Sequence, residues 1–308
     1  MSQGETMSED EAAAQPAPGA DTLVEELDAD FGFFCRGARL LETGVSPFQR
    51  YEVWDTPTFG KLFRLDGSLM SAERDEFVYH ENLVHVPALC HPAPRRALVV
   101  GGGDGGSARE LLRHPDIERV VVVELDEKVV ELVRRHLGAI HQGALDDPRT
   151  TLHIGDGGEY VRRAVAAGEV FDLIVLDLTE PGEGQDEGPA AALYREPFLS
   201  DCRALLRGEG ALTLHLGSPW RQGEQVRALV HRLRKVFAIV RPYFMFIPLY
   251  GSLWGLACAS DRIDPAVCTA SAIDAELLHR GIAGLRYYNG DIHAGQFAQP
   301  NFLRDLLE

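Results

Sequence analysis

One stretch restricts the fold of this chain more than any other: Val99-Val100-Gly101-Gly102-Gly103-Asp104-Gly105-Gly106-Ser107. The apolar run 97–100 reads as a buried parallel strand, five glycines permit a tight turn, and residues 108–113 read as the start of a helix. A strand–glycine loop–helix unit belongs to a parallel α/β sheet and brings backbone N–H groups and a helix N-terminus against a ligand. The pattern GxGxxG is met by Gly101, Gly103 and Gly106, which alone is weak evidence for a nucleotide. Asp104 is the discordant residue. A carboxylate inside a loop that elsewhere cradles phosphate argues against an anion at that point.

Beyond the loop, strand and helix signals alternate. Residues 119–125 form a β-branched run, 127–136 an amphipathic helix, 151–154 a strand, and Asp156-Gly157-Gly158 opens a helix through residue 167. Residues 171–176 read as a strand ending at Asp177, 198–206 as helix, 211–216 as strand and 222–236 as helix. Two strand-like segments follow, around Phe244 and Leu256. The alternation predicts an α/β, Rossmann-like sheet over residues 95–308, mostly parallel, with helices on both faces. Ahead of it, residues 51–54 and 61–65 alternate in character around a Pro- and Gly-containing turn, so 31–72 read as a small antiparallel β-domain. Helical spacing from Phe77 to Pro87 and the His91–Pro94 linker make 73–94 a connecting segment. Residues 1–30, with nine acids and no Lys or Arg, read as an acidic disordered tail.

That tail holds about half of the formal charge of −17, so the rest is only moderately acidic. The balance disfavours nucleic acid as a partner and suits a small cationic substrate. Five scattered cysteines without a CxxC pair fit reduced thiols in a cytoplasmic protein, and no metal-spaced His cluster appears. The N-terminus lacks the marks of a signal or transit peptide. Residues 242–260 carry no formal charge, but Pro248 and Gly251-Ser252 interrupt them, so two strands rather than a membrane span are expected.

The acids fall at strand ends: Asp104 after the first strand of the α/β unit, then Glu124, Asp156 and Asp177 after the next three. Each could be a plain helix cap. Four in succession converge on one rim, where such sheets bind ligands. Glu124, twenty residues beyond Asp104, is placed to accept ribose hydroxyls, and Asp156 with Gly157 to meet an adenine amine. Those two features fit a nicotinamide dehydrogenase and an S-adenosyl methyltransferase equally. Asp104 separates them from a third choice: a carboxylate ~4 Å from another anion costs on the order of 4 kcal/mol, which repels a pyrophosphate or a carboxylated cofactor and attracts an ammonium.

From residue 46 onward the chain resembles the polyamine aminopropyltransferases, the spermidine, spermine and thermospermine synthases. The resemblance rests on Phe48-Gln49, Leu65-Asp66-Gly67, the Ser71–His80 run, Gly101 to Gly106, Glu124-Leu125-Asp126, Gly155-Asp156-Gly157, Asp177-Leu178-Thr179-Glu180-Pro181, Tyr287-Tyr288-Asn289 and His293. It implies a methyltransferase-type sheet, a lid over 181–191, homodimers or homotetramers, and no metal. The co-substrate it implies is decarboxylated S-adenosylmethionine, with no permanently bound cofactor. Asp104 would then hold the donor's ammonium, Glu124 the ribose, and Asp156 with Gly157 the adenine, while Gln49 and His80 line the same pocket. Tyr79, Asp177, Glu180 and Tyr250 would face the amine acceptor, with Asp177 as catalytic base. Glu180 stands where the family usually has Asp, and Met70 and His215 also depart from its pattern, which leaves putrescine, spermidine, agmatine and longer polyamines open as acceptors. The other readings are a small-molecule methyltransferase using S-adenosylmethionine and a non-catalytic polyamine-binding relative.

Overall fold

The structure is a computed structural model that describes residues 21–179 and 189–308. Residues 1–20 of the expected tail, Glu180, and 181–188 of the expected lid lie outside the described residues. The tail reading fails at residue 21. Strand β1 (Thr22–Asp28) pairs antiparallel with β2 (Phe31–Arg36), and acidic composition hid its alternation. Leu23 and Glu25 point inward, and the Glu25 carboxylate accepts the Leu69 N–H at 3.1 Å. The β-region therefore begins before residue 31 and comprises two sheets. The second is an antiparallel meander of β3 (Arg39–Val45), β4 (Arg50–Thr56), β5 (Gly60–Leu65) and β6 (Ser68–Ala72).

Helix α1 (Glu76–Cys90) follows, buried on nearly all sides. It runs through Pro87, whose missing N–H frees the carbonyl of Leu83. The Thr213 hydroxyl donates to that carbonyl at 2.8 Å, which lets the helix continue to Cys90. Glu81 on α1 accepts the N–H groups of Arg286, Tyr287 and Tyr288 at 2.8–2.9 Å. The Tyr287-Tyr288-Asn289 motif thus anchors the C-terminal region rather than lining a site.

The α/β unit then proceeds as β7 (Arg96–Gly101), α2 (Gly106–Leu112), β8 (Arg119–Glu124), α3 (Glu127–His136), the short α4 (Gly138–His141) and β9 (Thr150–Ile154). It continues through α5 (Gly157–Ala166), β10 (Phe171–Asp177), α6 (Pro189–Ala192), α7 (Glu196–Leu205) and β11 (Leu206–Gly217). Helix α8 (Gly223–Val236), the hairpin β12 (Ile239–Ile247) and β13 (Ser252–Ser260), and α9 (Ala270–His279), α10 (Gly290–Gln296) and α11 (Asn301–Leu307) complete it. The sheet order is β12-β13-β11-β10-β7-β8-β9, parallel from β11 to β9 and antiparallel at the β12–β13 edge.

Alternation along the central strands separates two cores. Val99, Val122 and Val175 face α1, α2 and α3, whereas Leu98, Val121 and Ile174 face α5, α7 and α8. The uncharged segment 242–260 is the expected hairpin, and among the described residues no helix is long and apolar enough to cross a membrane. The strands after β7 are added first on one side of it (β8, β9) and then on the other (β10, β11), although β7 and β10 run parallel, and this switch places the crevice for a ligand at their carboxyl ends.

Candidate active site

The crevice is closed on one side by backbone. Gly101 lies opposite Asp177 in the β7–β10 ladder, and Gly102 N–H donates to the Asp177 carbonyl at 2.8 Å. Gly101 has φ +79° and a Cβ there would stand 2.1 Å from that carbonyl, so only glycine fits. The loop beyond delivers Asp104, whose Oδ1 accepts the Gly106 N–H at 2.9 Å. Its other oxygen, Oδ2, is 3.4 Å from His80 Nε2, and Asp177 Oδ2 is 3.8 Å from the same nitrogen. The acids of two adjacent strand ends therefore bracket one imidazole.

His80 reaches this point because Glu76 sits one turn earlier on α1 and accepts its Nδ1–H at 2.7 Å. Arg109 of α2 clamps Glu76 with two bonds of 2.8 and 2.9 Å and reaches Glu110 at 2.7 Å. Burial disfavours a charged His80, but the Asp104 and Glu76 carboxylates outweigh it and hold the ring as imidazolium. Burial would likewise raise Asp104, yet the charge of His80 and the bonds it receives hold it at about 2. Asp177 moves the other way: burial pushes it up, His80 offsets part of this, and the Asp104 charge adds to it. Ser107 donates to Asp177 Oδ2 at 2.7 Å, and the Tyr79 hydroxyl also bonds it. Two neighbouring acids are thus driven apart, one permanently ionised and one raised toward neutrality.

Along the rim, Glu124 accepts Gly103 N–H at 3.0 Å and Asp126 N–H at 2.9 Å, and burial pushes its carboxyl up to about 7. Asp156 is exposed and caps α5, with Oδ1 accepting Glu159 N–H at 2.6 Å. Gly157 packs beneath it on Val100, where a Cβ would stand 2.4 Å from the valine side chain. Gln49 extends from the β3–β4 turn and donates to Asp126 Oδ2 at 3.0 Å, which fixes the meander over the β8–α3 turn. On the opposite side of Asp177 lie Tyr79 and the hairpin tip. Tyr250 donates to the Met70 carbonyl at 2.7 Å and packs on Trp254 with ring centroids 4.5 Å apart. Leu249 N–H is held by Asp75 at 2.7 Å, which docks the tip onto the start of α1. His215 stacks on Trp254 and bonds Tyr194 at 2.6 Å, with burial lowering its pKa to about 4.

Asp104, His80, Asp177 and Tyr79 are gathered in one cluster. Glu124 meets it through the Gly103 N–H, Gln49 is held to Asp126 beside Glu124, Asp156 and Gly157 stand beyond the carboxyl end of β9, and Tyr250 lies on the hairpin tip. Sequence reasoning did not select Glu76, Arg109 and Ser107. The i, i+4 spacing of Glu76 and His80 was the available signal for the first; nothing local marks the other two.

The fold and this cluster define a methyltransferase-type α/β protein with acids gathered at its switch point. Residues 76–267 match the spermine/spermidine synthase domain. A polyamine aminopropyltransferase of Nitrosomonas europaea is 45% identical over 302 residues, covering 98% of this chain and 90% of that protein. A second such relative, from Hyperthermus butylicus, is 40% identical over 87% of this chain and 86% of its own length. Among solved structures, a spermidine synthase in complex with the transition-state analogue AdoDATO superposes with TM-score 0.84 at 35% identity, covering 93% of this chain and 94% of that one. The spermidine synthase of Thermotoga maritima gives the same TM-score of 0.84 at 34% identity, covering 98% of this chain and 99% of that one. The chain belongs to the spermine/spermidine synthase family.

Proposed function

We propose that this enzyme moves the aminopropyl group of decarboxylated S-adenosylmethionine onto a small aliphatic amine, releasing 5′-methylthioadenosine, with Asp177 as base. Aminopropyl transfer is the reaction of the family to which the chain belongs. The observation that carries the assignment of roles is the pair of carboxylates, Asp104 and Asp177, 3.4 and 3.8 Å from one imidazole nitrogen at the β7–β10 switch point.

The donor's positive sulfonium makes the adjacent propyl carbon electrophilic, and a neutral thioether leaves, so no leaving-group acid is needed. The acceptor is the difficulty, because an alkylammonium with a pKa near about 10 has no lone pair. Asp177 orients that ammonium and takes its proton, and burial has raised its affinity for one. Asp104 holds the donor's ammonium, Glu124 its ribose, and Asp156 with Gly157 its adenine. Gly101 and Gly103 bring backbone close, and Gln49 and His80 close the same side. Tyr79 and Tyr250 flank the acceptor, and Glu180 belongs to its pocket in this reading. The ionised Asp104 disfavours the carboxylated cofactor that a methyltransferase would need. An oligomer of two or four chains and a cytoplasmic location complete the proposal; the five free thiols support the latter.

The test is mass spectrometry of products from decarboxylated S-adenosylmethionine with putrescine, spermidine, agmatine and longer polyamines. Methylthioadenosine and an amine heavier by one aminopropyl group are expected with at least one acceptor. Absence of both across the panel, or methylated products from intact S-adenosylmethionine, would reject the assignment.

A further inference from the structure

Away from the active site, α1 ends at Cys90 and the loop ahead of α9 ends with Cys268-Thr269. The two sulfurs and a ring nitrogen of His293 all lie within 4.8 Å of one another. Both cysteines line a surface cavity of about 440 Å³ whose wall also includes His91, Asp264, Glu276 and Arg280. Cys202 and Cys258 are buried, whereas these two are only partly so. The arrangement could suit a soft metal ion, but the histidine argues otherwise. Its Nε2–H donates to the Pro265 carbonyl at 2.8 Å and its Nδ1 accepts the Tyr288 hydroxyl at 2.5 Å, so it has no lone pair to give without breaking a buried bond.

We infer that Cys90 and Cys268 form a reversible dithiol–disulfide site that is oxidised by hydrogen peroxide, with Cys268 as the attacking sulfur. The hydrogen bond given by the Cys90 thiol lowers the Cys268 thiol, while the same bond and burial keep Cys90 protonated. The chemistry has two steps. The Cys268 thiolate attacks one peroxide oxygen, the O–O bond breaks, and the hydroxide released takes a proton to become water. The Cys90 sulfur then attacks the sulfenic sulfur of Cys268, the S–O bond breaks, and the Cys90 proton leaves with the hydroxyl as a second water. Two thiols lose two electrons and one peroxide becomes two waters. The bond would tie the end of the helix carrying Tyr79 and His80 to the loop before α9.

The experiment treats the full-length, reduced protein with stoichiometric hydrogen peroxide and follows it by intact mass, non-reducing peptide mapping and thermal melting. Expected are a loss of two hydrogen atoms, a Cys90–Cys268 cross-linked peptide, a higher melting temperature, and full reversal by dithiothreitol. Cys90→Ser should stop at a sulfenic acid on Cys268 that dimedone traps, and Cys268→Ser should leave Cys90 unmodified. Oxidation that falls first on Cys35, a cross-link that appears only in urea-unfolded protein, or one tightly held zinc per chain that shields both thiols would each overturn the inference.

Discussion

Asp177 ends β10 with its carboxylate approached from three sides, by the Ser107 hydroxyl at 2.7 Å, the Tyr79 hydroxyl, and His80 Nε2 at 3.8 Å. Replacing it with Asn keeps the shape and the contacts but removes the proton acceptor. Asp177→Asn should lower kcat by roughly 10²–10⁴-fold, the usual worth of a positioned base, with donor affinity within a few-fold of wild type. Methylthioadenosine release and calorimetric titration with the donor check the two halves, and unchanged turnover would exclude Asp177 as the base. The pH dependence has a definite sign. The base works only when deprotonated, and burial raises its pKa, so turnover is lost as pH falls through a value above the ordinary Asp range of about 4. The Ser107 bond lowers that value, so Ser107→Ala should move the acid limb of kcat/KM to higher pH. A limb that stays in place, or moves down, would mean that another group sets it.

At the scale of elements, the site is a meeting of α1 and α2 over the β7 loop. Arg109 from α2 neutralises Glu76 and Glu110, and all three are buried. Arg109→Met leaves two buried carboxylates short of a partner and should cost about 3–5 kcal/mol, read from urea unfolding. Gly106, the first residue of α2, is constrained by α1: a Cβ there would stand 2.4–2.5 Å from the ring atoms of His80. Alanine favours helices, so Gly106→Ala should barely change helix content, yet it should push His80 from between Glu76 and Asp104 and weaken donor binding about tenfold or more. Calorimetry against the far-ultraviolet dichroism signal separates those effects. The same elements explain what sequence could and could not provide. Helix α3 spans residues 127–136 as its polar and apolar faces indicate, because one face meets the core and the other meets water. Helix α1 is buried on nearly all sides, so its periodicity is faint, and its passage through Pro87 depends on Thr213, far along the chain. β1 was lost in an acidic composition, since its inward Glu25 is satisfied by a partner on β6. The four strand-end acids were legible because the sheet alone fixes where they go. Ser107 and Arg109 were not, because their roles exist only after α1 has packed.

Across the whole molecule, acids collected for binding a cation are a burden to the protein without one. Glu124 illustrates this: two backbone N–H bonds hold its carboxyl below the rim, but burial raises its pKa from 4.5 to about 7. A carboxyl with a raised folded-state pKa binds its proton more tightly when folded. Its contribution to stability is therefore complete below the unfolded value and is lost as pH rises through the folded one. The loss reaches up to about 3 kcal/mol by pH 8, within a window from pH 4.5 to just above 7. Glu124→Gln has no such titration. The unfolding free energy of the variant relative to wild type should shift in the variant's favour by about 2.5 kcal/mol between pH 5 and 8, since part of the loss is already complete at pH 5. Buried His114, whose charge is disfavoured, and His215 make wild-type stability respond to acid in the opposite sense, but both are present in each protein and cancel in the difference. Urea unfolding at pH 5, 6.5 and 8 measures it. The donor should reverse the ranking: ribose hydroxyls bond the carboxylate, so saturating donor should stabilise wild type more than Glu124→Gln at pH 8. A difference independent of pH, or a donor effect equal in both proteins, would mean that Glu124 neither stores a proton nor meets the ribose.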